Sequence, residues 1–167
     1  MDPIDLIRHA QALLHPRKGA PKQVDLRRAI SAAYYAAFHA VLRAAADEFV
    51  GSSKAARKSA AYELVYRGYE HAQMKSACLD LSKPQMPARF AAIFGAQHLP
   101  QMYRSTAIVF VALQEARHLA DYAPTRRFYK SEAATAIKQA SFCVVNVLGG
   151  SGPVRKAFLL ALLLRVR

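Results

Sequence analysis

Arg67 and His71 are the pair of residues in this sequence best suited to chemistry on a phosphodiester. They are four residues apart, so on one helix both side chains project from the same face. The planar guanidinium can hold a phosphate, and an imidazole with a pKa near ~6.5 can move a proton at neutral pH. This predicts RNA cleavage without a metal, with His71 as general acid or base on the ribose 2′-hydroxyl and Arg67 stabilising charge on the phosphorus. The structural alternative is a solvated helix face on which Arg67 stacks against Tyr66 or His71.

Arg117, Asp121 and Tyr122 form a second polar set with helical spacing. The structural interpretation is an ion pair within one helix that supports the bundle, with the tyrosine hydroxyl capping a nearby group. Such a pair contributes about 0.3–0.5 kcal/mol when it is exposed. The functional interpretation makes Arg117 a phosphate ligand and Asp121 the residue that orients it. The spacing favours the structural interpretation.

Aromatic and imidazole side chains are grouped at Tyr34, Tyr35, Phe38 and His39. They could form a platform on which nucleic-acid bases stack. Their helical spacing among alanines is more typical of a core helix, in which His39 would be a partly buried histidine bonded to a neighbouring helix. The sequence has no P-loop, no glycine-rich dinucleotide motif, no HExxH motif and no histidine cluster of metal-binding type. We therefore expect neither a metal nor a cofactor.

Charge and composition restrict the partners and the compartment. Lys and Arg total 24 against 11 Asp and Glu, a formal net charge of +13, which attracts polyanions. Nucleic acid is the first candidate partner and an anionic membrane surface the second. Cys78 and Cys143 have neither disulfide-framework nor metal-binding spacing, which favours a reduced compartment. Residues 1–5 do not resemble a signal peptide, and the apolar run 157–164 is far shorter than the ~20 residues that span a bilayer. We expect a cytoplasmic protein with no membrane association.

The elements that must position these residues are predicted to be helices. Alanine is abundant and glycine totals only 7, which favours helix over strand. The 167 residues suit one ordinary domain, and 53% of them are hydrophobic, enough for a core. We predict an all-α, single-domain helical bundle over residues 1–167, with a four-helix core and one or two extra helices. The predicted helices run from about Asp2 to His15, Asp25 to Val50, Lys54 to Ala77, Leu99 or Pro100 to Asp121, Ser131 to Gly149 and Val154 to the C-terminus. Ser82 to Phe94 is predicted to be a loop, with a short helical turn in it as the alternative.

The last predicted helix carries the apolar stretch 158–164. A segment that is apolar all round must be buried in the bundle or in a dimer contact. Together with the alanine-rich second helix, it offers more apolar surface than one small bundle readily hides. This predicts a symmetric homodimer. A membrane-surface helix is the alternative, because basic residues flank the stretch: Arg155, Lys156, Arg165 and Arg167.

Two segments resemble a known family. The stretch from Leu26 to Ala40, with Arg27, Ala29-Ile30-Ser31, Tyr34-Tyr35 and Phe38-His39, resembles the opening core helix of HEPN domains (higher eukaryotes and prokaryotes nucleotide-binding). Arg117 to Tyr122 is similar to the polar R-x-x-A-D-Y segment of bacterial members. Together with the third predicted helix, the likeness covers roughly residues 24–165.

The resemblance implies an α-helical bundle that usually dimerises. Many members are metal-independent ribonucleases, often toxins paired with a nucleotidyltransferase-type antitoxin or proteins of phage defence. Their motif is an arginine followed several residues later by a histidine, and two copies meet at the dimer interface. Arg67 and His71 have three residues between them, which is closer than in that motif. Arg117 is followed directly by His118, with no histidine at the expected distance.

Two hypotheses of different classes follow. The first is a HEPN-like homodimer that binds RNA and has the residues to cleave it, with Arg67 and His71 as the site and Arg117 and Asp121 in support. The second is a non-catalytic HEPN-like module that binds a partner protein or a nucleotide. The positions of Arg67 and His71 discriminate between the two, since a shared groove at a two-fold interface favours the first and scattered or core positions favour the second.

Overall fold

The fold is entirely helical wherever it is described. A computed structural model describes residues 1–96 and 98–163 of the chain, and within these ranges it contains helices and no strand. The all-α prediction is confirmed. In chain order the α-helices are α1 (Pro3–Leu13), α2 (Gln23–Phe49), α3 (Ala60–Arg67), α4 (His71–Leu81), α5 (Ala88–Phe94), α6 (Gln101–Tyr122), α7 (Lys130–Gly149) and α8 (Gly152–Leu163), and a short 3-10 helix at Ala56–Lys58 precedes α3.

Local signals place most of the helix ends. Asp2 is the N-cap of α1, and its carboxylate accepts a hydrogen bond from the amide of Ile4 over 2.8 Å, while Pro3 occupies the first turn. These are the preferred residue types at those positions, because they satisfy or remove an amide that the helix leaves unpaired. The predicted second, fourth and fifth helices agree with α2, α6 and α7 to within about two residues. The predicted last helix agrees with α8 up to Leu163, and residues 164–167 lie outside the described ranges.

The predicted third helix, from Lys54 to Ala77, is wrong. The chain there forms the short 3-10 helix, then α3, then α4, with breaks at Ser59 and at 68–70. Ser59 is extended and its hydroxyl accepts from the amide of Tyr62 over 3.2 Å, so it caps α3 instead of continuing a helix. Glu70 is extended too, and the chain turns so that Tyr69 is buried and donates to the carbonyl of Leu159 over 2.9 Å. The interval predicted as a loop, with a short helical turn as the alternative, contains the short helix α5.

The chain forms two compact units. Unit 1 comprises Met1–Ala40 and Val109–Val145, and unit 2 comprises Val41–Ile108 and Asn146–Arg167. In unit 1, Tyr34 has no exposed surface and packs its ring against Phe110, with 5.7 Å between the centroids. Alanines of α2 that are fully buried let neighbouring elements approach closely.

Arg27 joins α2 to the end of α6 within unit 1. Its guanidinium donates to the carbonyl oxygens of Ala120 and Ala123, both over 2.7 Å, and of Arg126 over 2.6 Å. The same group lies 5.1 Å from the centre of the Phe128 ring. The last carbonyls of a helix have no partner within the helix, and a cation is favourable there. Arg27 therefore holds the loop that follows α6 in place.

Unit 2 buries the leucine-rich helix α8. Phe158, Leu159 and Leu162 are each at most 1% exposed. Arg155, also buried, pairs with Glu48 at 2.5 Å and donates to the carbonyl of Val147 over 3.0 Å. Of the two expectations for the C-terminal segment, burial in the bundle is confirmed for the part that is described. Its apolar face is therefore not an open dimer surface. Within the described ranges, no helix is both long and apolar enough to cross a membrane.

Candidate functional site

A polar cluster of unit 1 contains most of the second candidate set. Arg117 of α6 lies with its Nε 2.6 Å from the Oδ2 of Asp121, one helical turn later, an ionic contact without hydrogen-bond alignment. Its Nη2 donates to the hydroxyl of Tyr35 of α2 over 3.0 Å. The hydroxyl of Ser31, one turn before Tyr35, donates to the other carboxylate oxygen of Asp121. Two helices are thus joined through one guanidinium and one carboxylate.

Aromatic rings flank the Arg117 guanidinium. Its central carbon lies 5.5 Å from the ring centres of both Tyr35 and Tyr122. Burial lowers the pKa of Arg117, but the Tyr35 hydroxyl and the Asp121 carboxylate raise it by more, so the net direction is upward. The side chains of Arg117 and Asp121 are 22% and 28% exposed, so the pair is partly shielded from water. Arg117 is therefore a cation held in a fixed position. Its contacts support the structural interpretation, in which the ion pair with Asp121 stabilises the bundle.

A cavity of about 480 Å³ lies beside this cluster, between α1 and α2. Ser31 and Tyr35 belong to both the cavity wall and the cluster. One face of α2 supplies most of the wall, since positions 28, 31, 32, 35 and 39 recur at helical spacing. The lining residues are Met1, Leu6, His9, Arg28, Ser31, Ala32, Tyr35 and His39.

The cavity brings together groups that can bind and transfer protons. Arg28 supplies a cation, and His9 and His39 supply two imidazoles from different helices. The ring of Tyr35 lies 6.3 Å from that of His39, so these two follow each other along the wall. Because Tyr35 is held by Arg117, this part of the wall is fixed in orientation.

The aromatic group of α2 divides between core and cavity. Tyr34 is fully buried and Phe38 nearly so, which agrees with the core interpretation for both. Tyr35 and His39 are half-buried and face the cavity. Tyr122 is 64% exposed, and its ring lies 5.1 Å from that of His118. The helical pattern alone does not separate these cases, because the ring positions 34, 35, 38 and 39 are neighbours on a mostly buried part of α2.

Arg67 and His71 do not share a helix face. Arg67 is the last residue of α3 and His71 is the first residue of α4. The expectation that rested on one continuous helix is therefore wrong in its geometry. Both residues belong to unit 2 and are exposed, and Arg67 pairs with Glu63 at 3.0 Å.

Unit 2 has a polar cluster of its own around Asp47. Its carboxylate accepts from Arg57 over 3.0 and 2.7 Å and from the Tyr62 hydroxyl over 2.9 Å. Burial, followed by the hydrogen bond to Asp47, raises the pKa of Tyr62 to about 12. The hydrogen bonds to Asp47 stabilise the fold of unit 2. In unit 1, burial raises the pKa of the Cys143 thiol to about 12, which disfavours the nucleophilic thiolate at neutral pH.

His9, Arg28 and Ser31 were missed by sequence reasoning. Ser31 lies one turn and Arg28 two turns before Tyr35, and an extended stripe through positions 28, 31, 35 and 39 was the available signal. His9 had none, since only the approach of α1 to α2 brings it to the cavity. Within the described ranges, no three His, Cys, Asp or Glu side chains are grouped as metal ligands would be.

Comparison of this chain with protein-family models, with curated proteins and with solved structures found no match.

Proposed function

We propose that this chain is a HEPN-like RNA-binding protein that places one nucleotide of a single-stranded RNA in the cavity between α1 and α2. The observation that carries the proposal is the composition of that cavity. A cation, two imidazoles and a tyrosine ring line one open space in a chain with a net charge of +13. The volume of about 480 Å³ is in the range of small-ligand sites.

The wall suits the parts of a nucleotide. Tyr35 and the apolar side chains of Leu6 and Ala32 give a surface against which a base can stack or pack. Arg28 gives a planar donor group for a phosphate. The surplus of positive charge accelerates encounter with any polyanion, and the cavity then selects for an unpaired nucleotide.

Cleavage of the bound strand is the activity we propose for this site. One of the imidazoles of His9 and His39 takes the proton from the ribose 2′-hydroxyl as the 2′-oxygen attacks phosphorus. The other, protonated at the start, gives its proton to the departing 5′-oxygen. The P–O bond to that oxygen breaks, and the products are a 2′,3′-cyclic phosphate and a 5′-hydroxyl. Arg28 would stabilise the charge on the phosphoryl oxygens.

Binding is tested by fluorescence anisotropy with a labelled single-stranded RNA. Arg28→Ala should weaken binding about five- to hundredfold, as loss of a charged hydrogen bond does. Lys138→Ala is the matched control, since it removes one exposed positive charge from α7 outside the cavity and should change affinity less than twofold. Equal effects of the two substitutions would contradict the cavity as the binding site.

Cleavage is tested on the same RNA with chelator present. His9→Ala and His39→Ala should each lower the rate about 10²- to 10⁴-fold and leave most of the affinity. His15→Ala, an exposed histidine just beyond α1, is the control. His71→Ala is measured in parallel. If only this variant loses cleavage, the catalytic site is Arg67 and His71 and not the cavity. If the wild type does not cleave the RNA, the proposed cleavage is contradicted and RNA binding alone stays as the proposed function.

The second candidate is a module that binds a partner protein, a nucleotidyltransferase-type antitoxin by the family resemblance. The apolar side chains of Met1, Leu6 and Ala32 in the cavity wall favour it, because they would accept an apolar side chain of a partner. Absence of RNA binding even at low salt would favour this candidate over the first.

A further inference from the structure

Two basic loops of unit 1 are held against each other. The first joins α1 to α2 and carries Arg17, Lys18 and Lys22, and the second joins α6 to α7 and includes Arg127 and Tyr129. All five side chains are exposed, as is that of Lys130 at the start of α7. We define the basic-aromatic patch as these six residues.

Hydrogen bonds fix the two loops relative to each other. The side-chain amide of Gln23 donates to the carbonyl of Phe128 over 2.8 Å and accepts from the amide of Phe128 over 2.9 Å. Gln23 directly follows Lys22, and Phe128 lies between Arg127 and Tyr129. Arg27, one turn later on α2, binds the same loop through the carbonyls described above. The ends of both basic loops are therefore held together.

The patch keeps its positive charge. Asp25 accepts from the amide of Lys22 over 2.9 Å, and Glu132 accepts from the amide of Tyr129 and pairs with Arg126, both over 2.8 Å. In the part of the chain that the structure describes, none of the five patch cations forms an ion pair with a carboxylate. Their charges are thus available to a polyanion, while the nearby carboxylates are bound to the backbone or to Arg126.

Tyr129 adds an exposed aromatic ring to the cations of the patch. Its neighbour Phe128 is 3% exposed and lies between the guanidinium groups of Arg27 and Arg126, each 5.1 Å from its ring centre. Tyr129 is 68% exposed, between Arg127 and Lys130. The ring of Tyr129 is exposed to solvent and close in sequence to two cations, and the buried Phe128 anchors its backbone. Such a ring is suited to stack on an unpaired base.

The position of the patch relates it to the cavity. Lys22 precedes Arg28, which lines the cavity, by six residues, or roughly 9 Å along a helix. A strand with one nucleotide in the cavity can therefore continue toward the patch.

We propose that the basic-aromatic patch is a second contact surface for single-stranded RNA, binding backbone phosphates through its cations and stacking one base on Tyr129. The inference rests on the proposed function. A duplex fits less well, because its bases are not free to stack on a side chain. An anionic membrane surface is the competing occupant, and the test includes it.

The experiment measures affinity for a labelled oligoadenylate and for inorganic polyphosphate, which has the charge but no bases. The double variant Arg127→Ala/Lys130→Ala should weaken binding of both about tenfold or more and lower the salt slope for oligoadenylate by roughly 1.4, as loss of two phosphate contacts to a single strand does. Tyr129→Ala should weaken oligoadenylate binding about five- to hundredfold and leave polyphosphate binding unchanged. Tyr129→Phe, which retains the ring, should bind like the wild type. All substituted side chains are exposed, and circular dichroism checks that each variant is folded.

The outcomes separate this inference from the proposed function. If the wild type binds no RNA, both fail. If Arg28→Ala weakens binding and the patch variants do not, the inference alone fails. If Tyr129→Ala and the wild type bind oligoadenylate with equal affinity, no base stacks on Tyr129. The patch would then be a surface that binds anions in general, and the inference would be contradicted. Binding to phosphatidylserine vesicles that is lost in the double variant, with RNA binding unchanged, would assign the patch to a membrane surface.

Discussion

Arg117 donates a hydrogen bond to the hydroxyl of Tyr35 over 3.0 Å, although the two residues are 82 positions apart in the chain. Arg117 begins one of the two segments on which the family resemblance rests, and Tyr35 lies in the other. The two segments are therefore in contact within unit 1. Since Tyr35 also lines the cavity, a substitution at Arg117 acts on the site through Tyr35.

Loss of the Arg117 side chain should destabilise the protein more than loss of Arg67. Arg117→Ala removes a partly shielded guanidinium that contacts both Asp121 and Tyr35, and we expect a loss of roughly 1–3 kcal/mol in the free energy of unfolding. For a chain of this size, each 1 kcal/mol lowers Tm by about 2–4 °C. Arg67→Ala is the control, because its pair with Glu63 is 78% and 63% exposed and should contribute under about 0.5 kcal/mol. Thermal unfolding that gives equal shifts would contradict the prediction.

The pair of the buried Arg155 and the partly exposed Glu48 should be costly to break from one side. Arg155→Met leaves the Glu48 carboxylate, which is 25% exposed, without its partner and should lower the free energy of unfolding by about 1.5–3 kcal/mol. The double variant Arg155→Met/Glu48→Met removes both charges and should recover much of that loss. Urea unfolding measures both variants, and a double variant less stable than Arg155→Met would refute the reasoning.

Alkaline stability should depend on Tyr62. Its pKa is raised to about 12 in the folded chain, by burial and then by the hydrogen bond to Asp47, against ~10 for an unfolded tyrosine. A raised folded-state pKa stabilises the fold below pH ~10, and this contribution is lost as the pH rises through about 12. Tyr62→Phe should therefore reduce the fall in unfolding free energy over that interval. Tyr129→Phe, at an exposed position, should leave the wild-type pH profile in place, and an unchanged profile for Tyr62→Phe would contradict the assignment.

RNA affinity should fall steeply with salt. Each phosphate neutralised by a lysine or arginine releases condensed counterions, with a slope of about −0.7 per contact for a single strand. A plot of log affinity against log salt concentration from filter binding should thus be linear with a slope of roughly −3 or steeper, given several contacts. A flat plot would mean that apolar contacts dominate and would favour the partner-protein function.

Assembly as a homodimer remains a prediction, but the surface that forms the contact differs from the C-terminal helix expected from the sequence. Since α8 is buried, exposed apolar side chains of other helices are the candidates. We choose the pair on α7, Phe142 at 40% and Val145 at 68% exposure, because the two are three residues apart on one helix face. Light scattering at micromolar concentration should give the mass of a dimer, and Val145→Asp should give a monomer. Ser131→Asp, at an exposed polar position on the same helix, should stay dimeric. A monomeric wild type would contradict the prediction of a homodimer.

Some of the candidate site was predictable from spacing, and some was not. Arg117 and Asp121 are one turn apart on a helix whose ends the sequence signals well, so their ion pair follows from local geometry. The same logic failed for Arg67 and His71. Spacing reports a shared face only while the helix continues, and here it stops between them.

The sequence by itself determined the helical fold, the N-cap of α1 and the positive charge, because propensity, capping and charge act through residues near in the chain. Only the tertiary structure decided the break at 68–70 in the third predicted helix, since Tyr69 is buried and bonds to the carbonyl of Leu159, 90 residues away. It also decided that His9 and His39 line one cavity and that Arg117 holds Tyr35. Contacts at such separations depend on which helix faces pack together, and burial outweighs the fraction of a kcal/mol per residue that helix propensity contributes.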